Sequence, residues 1–314
     1  MIGRKLVDRL VADGRLGNTE LERLTLVDVV APEPPGAEAE AWAADLADPG
    51  AAGRVAEGRP DVIVHLAAVV SGEAEADFVK GYRVNLDGTR ALLEAIRALD
   101  GYRPRLVLAS SIAVFGAPLP NPIPEDFATL PLTSYGTQKA IDELLLNDYT
   151  RRGFVDGIGI RLPTICIRPG APNKAASGFF SNILREPLVG REAVLPVPET
   201  VRHWHASPRS AVGFCLRAAT IDTEQIGPRR TLSMPGLSAT VGEQIEALRR
   251  AAGDEAVALI KRVPDPMIEG IVAGWATRFD PSRALALGFT ADASFDDIIA
   301  IHVEDELGGA IPRR

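Results

Sequence analysis

Short apolar runs alternate with longer stretches of helical period along this 314-residue chain. Residues 25–30, 61–66, 105–109 and 157–162 place their apolar side chains next to one another instead of alternating them with polar ones. That pattern predicts strands buried on both faces, as in a parallel sheet. Between them, residues 85–99 (NLDGTRALLEAIRAL) and 134–149 (SYGTQKAIDELLLNDY) carry apolar positions at i, i+3, i+4 and i+7, which predicts helices with one packed stripe. Strands alternating with helices predict an α/β fold, a doubly wound parallel sheet whose ligands sit beyond the carboxyl ends of the strands. After Leu162 the rhythm loosens into a stretch rich in Pro and Gly, residues 163–198. From Gly236 onward the pattern is mostly helical, with one strand near Ile260. We therefore expect a sheet domain over residues 1–165, joined by 200–235, and a smaller mixed C-terminal lobe over 166–199 and 236–314. The Pro-rich residues 31–36 predict a connecting surface loop.

Composition narrows the partners. Hydrophobic residues at 46% and charged residues at 24% are globular values, which exclude a disordered or fibrous chain. The net charge of −8 and the lack of any Lys/Arg run longer than a pair exclude the footprint of a nucleic-acid or anionic-membrane binder, and favour a small-molecule ligand. No apolar run reaches the roughly 18 residues of a membrane span. Cys166 and Cys215 are the only cysteines and have no CxxC spacing, so neither a disulfide framework nor structural zinc is expected, and a reducing cytoplasm is.

The chemistry concentrates at Tyr135 and Lys139. Four residues apart on one helix, they project from one face about 6 Å apart along the axis and can share a ligand. An ammonium fixed beside a phenol favours the phenolate, which suits a general base. Ser110 and Ser111 stand at the end of the strand over residues 105–109, which places hydroxyls at the carboxyl edge of the sheet beside that helix.

ASSIAVFG (residues 109–116) followed by SYGTQK (134–139) resembles the extended short-chain dehydrogenase/reductase superfamily, the NAD-dependent epimerases and dehydratases. DVIVHLAA (61–68) and VNLDGTRALLEA (84–95) extend the resemblance over nearly the whole chain. It implies a Rossmann fold and NAD as cofactor. It further implies that Ser111 bonds the substrate oxygen, Tyr135 transfers the proton and Lys139 holds the nicotinamide ribose. Ile2, Gly3, Asp28, Asp45, Leu46, Ala67, Ala68, Asn85, Ser110 and Pro163 would line the cofactor along with Tyr135 and Lys139. Asp28 also has a meaning of its own: a carboxylate there accepts from the adenosine ribose hydroxyls and repels a 2′-phosphate, favouring NAD over NADP. One departure stands out. The family's GxxGxxG loop should follow a first strand and precede the helix starting at Ile2, yet only its last glycine, Gly3, is present. The first strand is therefore expected to be missing, with about ten residues lost through a misassigned or truncated start.

Residues 161–197 and 202–214 resemble the D-erythronate dehydrogenase branch, which implies NAD-dependent oxidation of a four-carbon sugar acid at C2. Arg209 stands where nucleotide-sugar members usually carry an aspartate, and Ile112 and Ala113 where sugar dehydratases place an acidic pair. A sugar acid needs a cation for its carboxylate, and a guanidinium fork suits it bidentately; Arg185 and Arg209 are the candidates. Ser71, Thr164, Asn173 and Ser177, with Ser111, would serve the substrate hydroxyls. The pair His203 and His205 lacks nearby acidic or thiol partners, so no metal is expected. A nucleotide-sugar 4-epimerase and a threonine-type hydroxy-amino-acid dehydrogenase are the alternatives within the superfamily. A non-catalytic NAD-sensing relative is disfavoured because Tyr135 and Lys139 are both present. The outward row Ile141, Leu144 and Leu145 suits a homodimer.

Overall fold

The structure, a computed structural model, describes residues 1–36, 39–170 and 176–312. Four parallel strands form its main sheet in the order β9 (Thr231–Ser233), β5 (Asp156–Leu162), β4 (Arg105–Ser111) and β3 (Val62–His65). The continuous apolar runs are explained by burial on both faces. Leu106 and Leu108 of β4 join Leu92, Leu93 and Ile96 of α4 (Gly88–Arg97) on one side, whereas Val107 meets Phe214 and Ala218 of α7 (Pro208–Thr220) on the other. Each of these fully buried aliphatic side chains contributes roughly 1.5–3 kcal/mol of transfer free energy.

β1 (Leu24–Asp28) and β2 (Ala39–Ala43) form a separate parallel pair, and among the described residues no ladder joins β1 to β3. Packing links the two sheets instead: Leu6 and Leu10 of α1 (Ile2–Asp13) share one apolar cluster with Leu24 of β1 and Val62 and Val64 of β3. A second core lies further along the chain. There Phe180 and Leu184 of α6 (Gly178–Leu188) pack with Ile245 and Leu248 of α8 (Val241–Val257) and Ile298 and Ile299 of α9 (Phe295–Glu306). A mixed sheet, with β8 (Arg202–Ala206) parallel to β6 (Thr164–Ile165) and antiparallel to β10 (Leu237–Thr240), connects the regions. The strand expected near Ile260 is β11 (Ile260–Arg262), paired with β7 (Ala193–Leu195).

Of the boundaries that differ from the sequence pattern, two have a local cause. The first strand ends at Asp28, two residues earlier than the apolar run, because the Val29 N–H turns back to Asp28 Oδ1 (2.7 Å) and leaves Val29 and Val30 exposed. The helix expected to begin at residue 85 is preceded by a helical turn at Phe78–Gly81 and a π-helical turn at Tyr82–Asp87, which swings Asn85 fully inside.

Candidate active site

Ser111 ends β4 in register with Leu162, the last residue of β5, so its hydroxyl stands at the carboxyl edge of the sheet. Its Oγ accepts from the Ala113 N–H (3.1 Å), which leaves its own proton to donate. α5 (Ser134–Arg151) starts against this turn. Thr133 caps it by accepting from the Gly136 N–H (3.1 Å). Gly136 lies so close to the Ile112–Val114 turn that a Cβ there would stand 2.2 Å from the Ala113 carbonyl oxygen. That close approach brings Tyr135, partly exposed, beside the turn that carries Ser111. One helical turn on, Lys139 is 2% exposed.

Beneath Lys139 lies a set of buried polar groups that the sequence reading did not single out. Asp142 is fully buried with Oδ2 3.7 Å from Lys139 Nζ, and neither of its oxygens has a hydrogen-bond partner. The nearby Thr89 hydroxyl gives its proton to the Asn85 carbonyl (2.6 Å) instead. Burial pushes the Asp142 carboxyl up to about 7, against the opposing pull of Lys139. His65, at the end of β3, is held down to about 3 by burial and then by the Lys139 charge, so it stays neutral; its Nε2 lies 3.0 Å from Thr89 Oγ1. Glu143 accepts both forks of Arg161 (3.0 and 2.7 Å) and the Ser110 hydroxyl (2.5 Å). The spacing held the signal: Asp142 and Glu143 follow Lys139 by three and four positions, on the same inward face of the helix.

The expected cofactor residues divide into free and engaged groups. Asp28 is exposed at the end of β1, and its Oδ2 has no hydrogen-bond partner among the described residues. Ala67 and Ala68 lie in the loop after β3 and keep it narrow, and Pro163 is buried between β5 and β6. Ile2 and Gly3 open α1, with no side-chain cap from Met1. A Cβ at Gly3 would make only ordinary contact, 3.6 Å from Leu66. Asp45 accepts from the Ala47 N–H and from Arg83 (2.6 Å), and despite its burial these donors hold its carboxyl below the usual range. Leu46 packs beside Gly88 at the start of α4. Asn85 and Ser110, expected to line the cofactor, have their side chains engaged by the protein. The Asn85 amide clamps the Val69 backbone (2.8 and 3.1 Å) and Gln138 (2.7 Å), and the Ser110 hydroxyl is taken by Glu143, so both hold the walls of the site.

The two arginines expected to bind a carboxylate are both engaged by protein partners. Arg185 is buried and already bonded to Glu186, the Arg168 carbonyl and Asn182, each at 2.8 Å. Arg209 is ion-paired with Glu304 and Asp305 of α9. Thr164 donates to His203 Nε2 (2.7 Å), because His203 Nδ1–H is donated to the Ala276 carbonyl (2.9 Å). Burial takes the His203 imidazole down to about 4, and it packs edge-on to His205 with ring centroids 5.3 Å apart. Ser71 opens α3 (Ser71–Ala76) with no side-chain bond among the described residues, and Ser177 precedes α6. Asn173 lies outside the described residues.

Comparison with known proteins identifies the family. The signature of the NAD dependent epimerase/dehydratase family matches residues 1–205. D-erythronate dehydrogenase of Cupriavidus necator is 49% identical over 91% of this chain and 88% of its own length. D-erythronate dehydrogenase of Haemophilus influenzae is 41% identical over 98% of this chain and 96% of its own length. Among solved structures, the nucleoside-diphosphate-sugar epimerase from Agrobacterium tumefaciens is 68% identical with a TM-score of 0.97, covering 99% of this chain and 93% of that one. A GalE-like L-threonine dehydrogenase from Cupriavidus necator, 22% identical over 97% of this chain and 96% of its own, shares the fold with a TM-score of 0.84. With the Ser111, Tyr135 and Lys139 arrangement at the sheet edge and a family signature spanning most of the chain, the protein belongs to the NAD dependent epimerase/dehydratase family and is an NAD-dependent oxidoreductase.

Proposed function

We propose that the protein oxidises a four-carbon sugar acid, D-erythronate, at C2 to the 2-keto acid. The observation that supports this reading is the close seat of α5, the helix of Tyr135 and the buried Lys139, at Gly136 against the turn that follows Ser111. Two D-erythronate dehydrogenases at 49% and 41% identity support the substrate. Ser111 donates to the substrate C2 oxygen and holds it against Tyr135. The Tyr135 oxygen takes the hydroxyl proton as the C–H bond breaks, and Lys139 steadies the phenolate by its charge. NAD, when bound, accepts the hydride. The unpaired Asp28 oxygen holds the ribose diol and rejects a 2′-phosphate.

The test is a panel of C4 and C5 aldonates with NAD and with NADP at alkaline pH, following reduced cofactor. Turnover of erythronate with NAD is expected; equal kinetics with NADP would overturn the role of Asp28. The 68% identity to a structure described as a nucleoside-diphosphate-sugar epimerase supports a second reading. A UDP-hexose arm decides between the two, since epimerisation there without aldonate oxidation would replace the dehydrogenase reading. We place the enzyme in the cytoplasm, as a homodimer formed through the α5 face, where Leu144 is 68% exposed beside Ile141 and Leu145.

A further inference from the structure

The loop after β6 carries a cation that none of the expected residues accounts for. Arg168 is partly buried, and its Nη2 donates to the Ser177 hydroxyl (3.0 Å). Its backbone is fixed from both sides: the N–H donates to Ser181 Oγ (3.1 Å) and the carbonyl accepts from Arg185 Nη1 (2.8 Å). Four other sheltered arginines have acids: Arg105 has Asp156, Arg161 has Glu143, Arg185 has Glu186 and Arg283 has Glu125, whereas Arg217 is held by the Leu287 carbonyl on the other flank of the sheet. Arg168 has none among the described residues, and the only acid outside them is Glu38. Burial and the neighbouring Arg185 both disfavour its charge. A guanidinium held in place, sheltered and without a counter-charge is costly unless an anion completes it.

Its place in the fold says where that anion would lie. β5 ends at Leu162, level with Ser111; β6 runs on beside β8, and Arg168 follows three residues beyond Ile165, on the carboxyl side of the sheet. Ser177 receives Arg168 while keeping its own hydroxyl proton, so the pair offers guanidinium N–H groups and an O–H together. α6 begins immediately after Ser177 with no side-chain cap, which adds unsatisfied backbone donors to the same spot. We propose that Arg168, positioned by Ser177, anchors the carboxylate of the substrate, in place of Arg185 and Arg209. This assignment rests on the sugar-acid reading and names the group that makes the site select acids over neutral polyols.

The test uses steady-state kinetics of the full chain with erythronate and NAD, beside erythritol, in which the carboxylate is replaced by a neutral carbinol. Arg168→Gln should raise KM for erythronate by about 30-fold or more, the effect of losing one partner of a sheltered charge pair. KM for NAD should stay within about twofold, and the preference for erythronate over erythritol should collapse. Arg168→Lys, which keeps the charge and loses the fork, should fall in between, and Ser177→Ala should raise the erythronate KM by a smaller factor with the same selectivity trend. If Arg168→Gln does not fold, the graded response of the other two variants carries the test. An unchanged erythronate KM in all folded variants of an enzyme that does oxidise erythronate overturns the anchor and leaves the proposed function standing. A raised KM for NAD with unchanged KM for erythronate overturns it in favour of a contact to the dinucleotide phosphates. A wild-type enzyme inactive on every aldonate overturns both.

Discussion

Asp142→Asn isolates a carboxyl that the fold buries beside Lys139 without hydrogen-bonding it. In the folded protein Asp142 titrates near 7, whereas its ordinary value is 3.8. Below about pH 4 the group is protonated in both the folded and unfolded states, and its contribution to stability is fully present. As pH rises the unfolded chain ionises first, so stability falls until the folded carboxyl also ionises near pH 7, and then levels off. A shift of about three pK units corresponds to about 4 kcal/mol between those limits, an upper value for a charge pair this close. Asparagine keeps the shape and removes the titration. Its amide hydrogens gain no evident acceptor, which costs about 1–3 kcal/mol at every pH. The variant should therefore be less stable than wild type at pH 4, and more stable at pH 8. Melting temperatures of both proteins across pH 4–9 should cross once, at about pH 4.5–6, where the wild-type loss reaches that cost. Parallel curves would show that Lys139 at 3.7 Å keeps the carboxylate ionised throughout, and the argument from burial would be refuted.

Tyr135→Phe removes the proton-accepting oxygen and little else, so turnover should drop by the 10²–10⁴-fold typical of losing a general base, while NAD affinity measured by fluorescence quenching stays near wild type; near-normal turnover would reject the assignment. Gly136→Ala sets a methyl 2.2 Å from the Ala113 oxygen and 2.9 Å from Pro131 Cβ, forcing α5 outward. Stability should fall by about 1–3 kcal/mol in denaturant titration, with kcat falling as well because Tyr135 moves away from Ser111; wild-type values for both would mean that the close seat does not position the site.

The local signals in the chain were sufficient for the elements that bury both faces. The run 105–109 and the stripe of residues 134–149 each report a neighbour on a known side, so the strand β4, the helix α5 and the Tyr135–Lys139 pair could be placed before any tertiary information. Resemblance added the family. Boundaries were less legible where a side chain competes for backbone groups, as Asp28 does at Val29, or where the helix takes an extra residue per turn, as it does around Asn85.

Charge pairing was decided in three dimensions alone. A sequence shows that Arg168, Arg185 and Arg209 are all cations near the substrate lobe, but a guanidinium's availability depends on which acids the fold brings within reach, and those come from up to 96 residues away, as Asp305 does for Arg209. The same holds beneath Lys139, where β3, α4 and α5 converge to bury His65 against Thr89 and to bury Asp142 without a hydrogen-bond partner. Hydrophobic periodicity by itself determined the alternating strands and helices and the helix that carries Tyr135 and Lys139, because each residue's burial on a regular element follows from its spacing. Only the tertiary structure decided which polar groups remain free to meet a ligand, because desolvation and pairing depend on distances between segments that spacing along the chain does not encode.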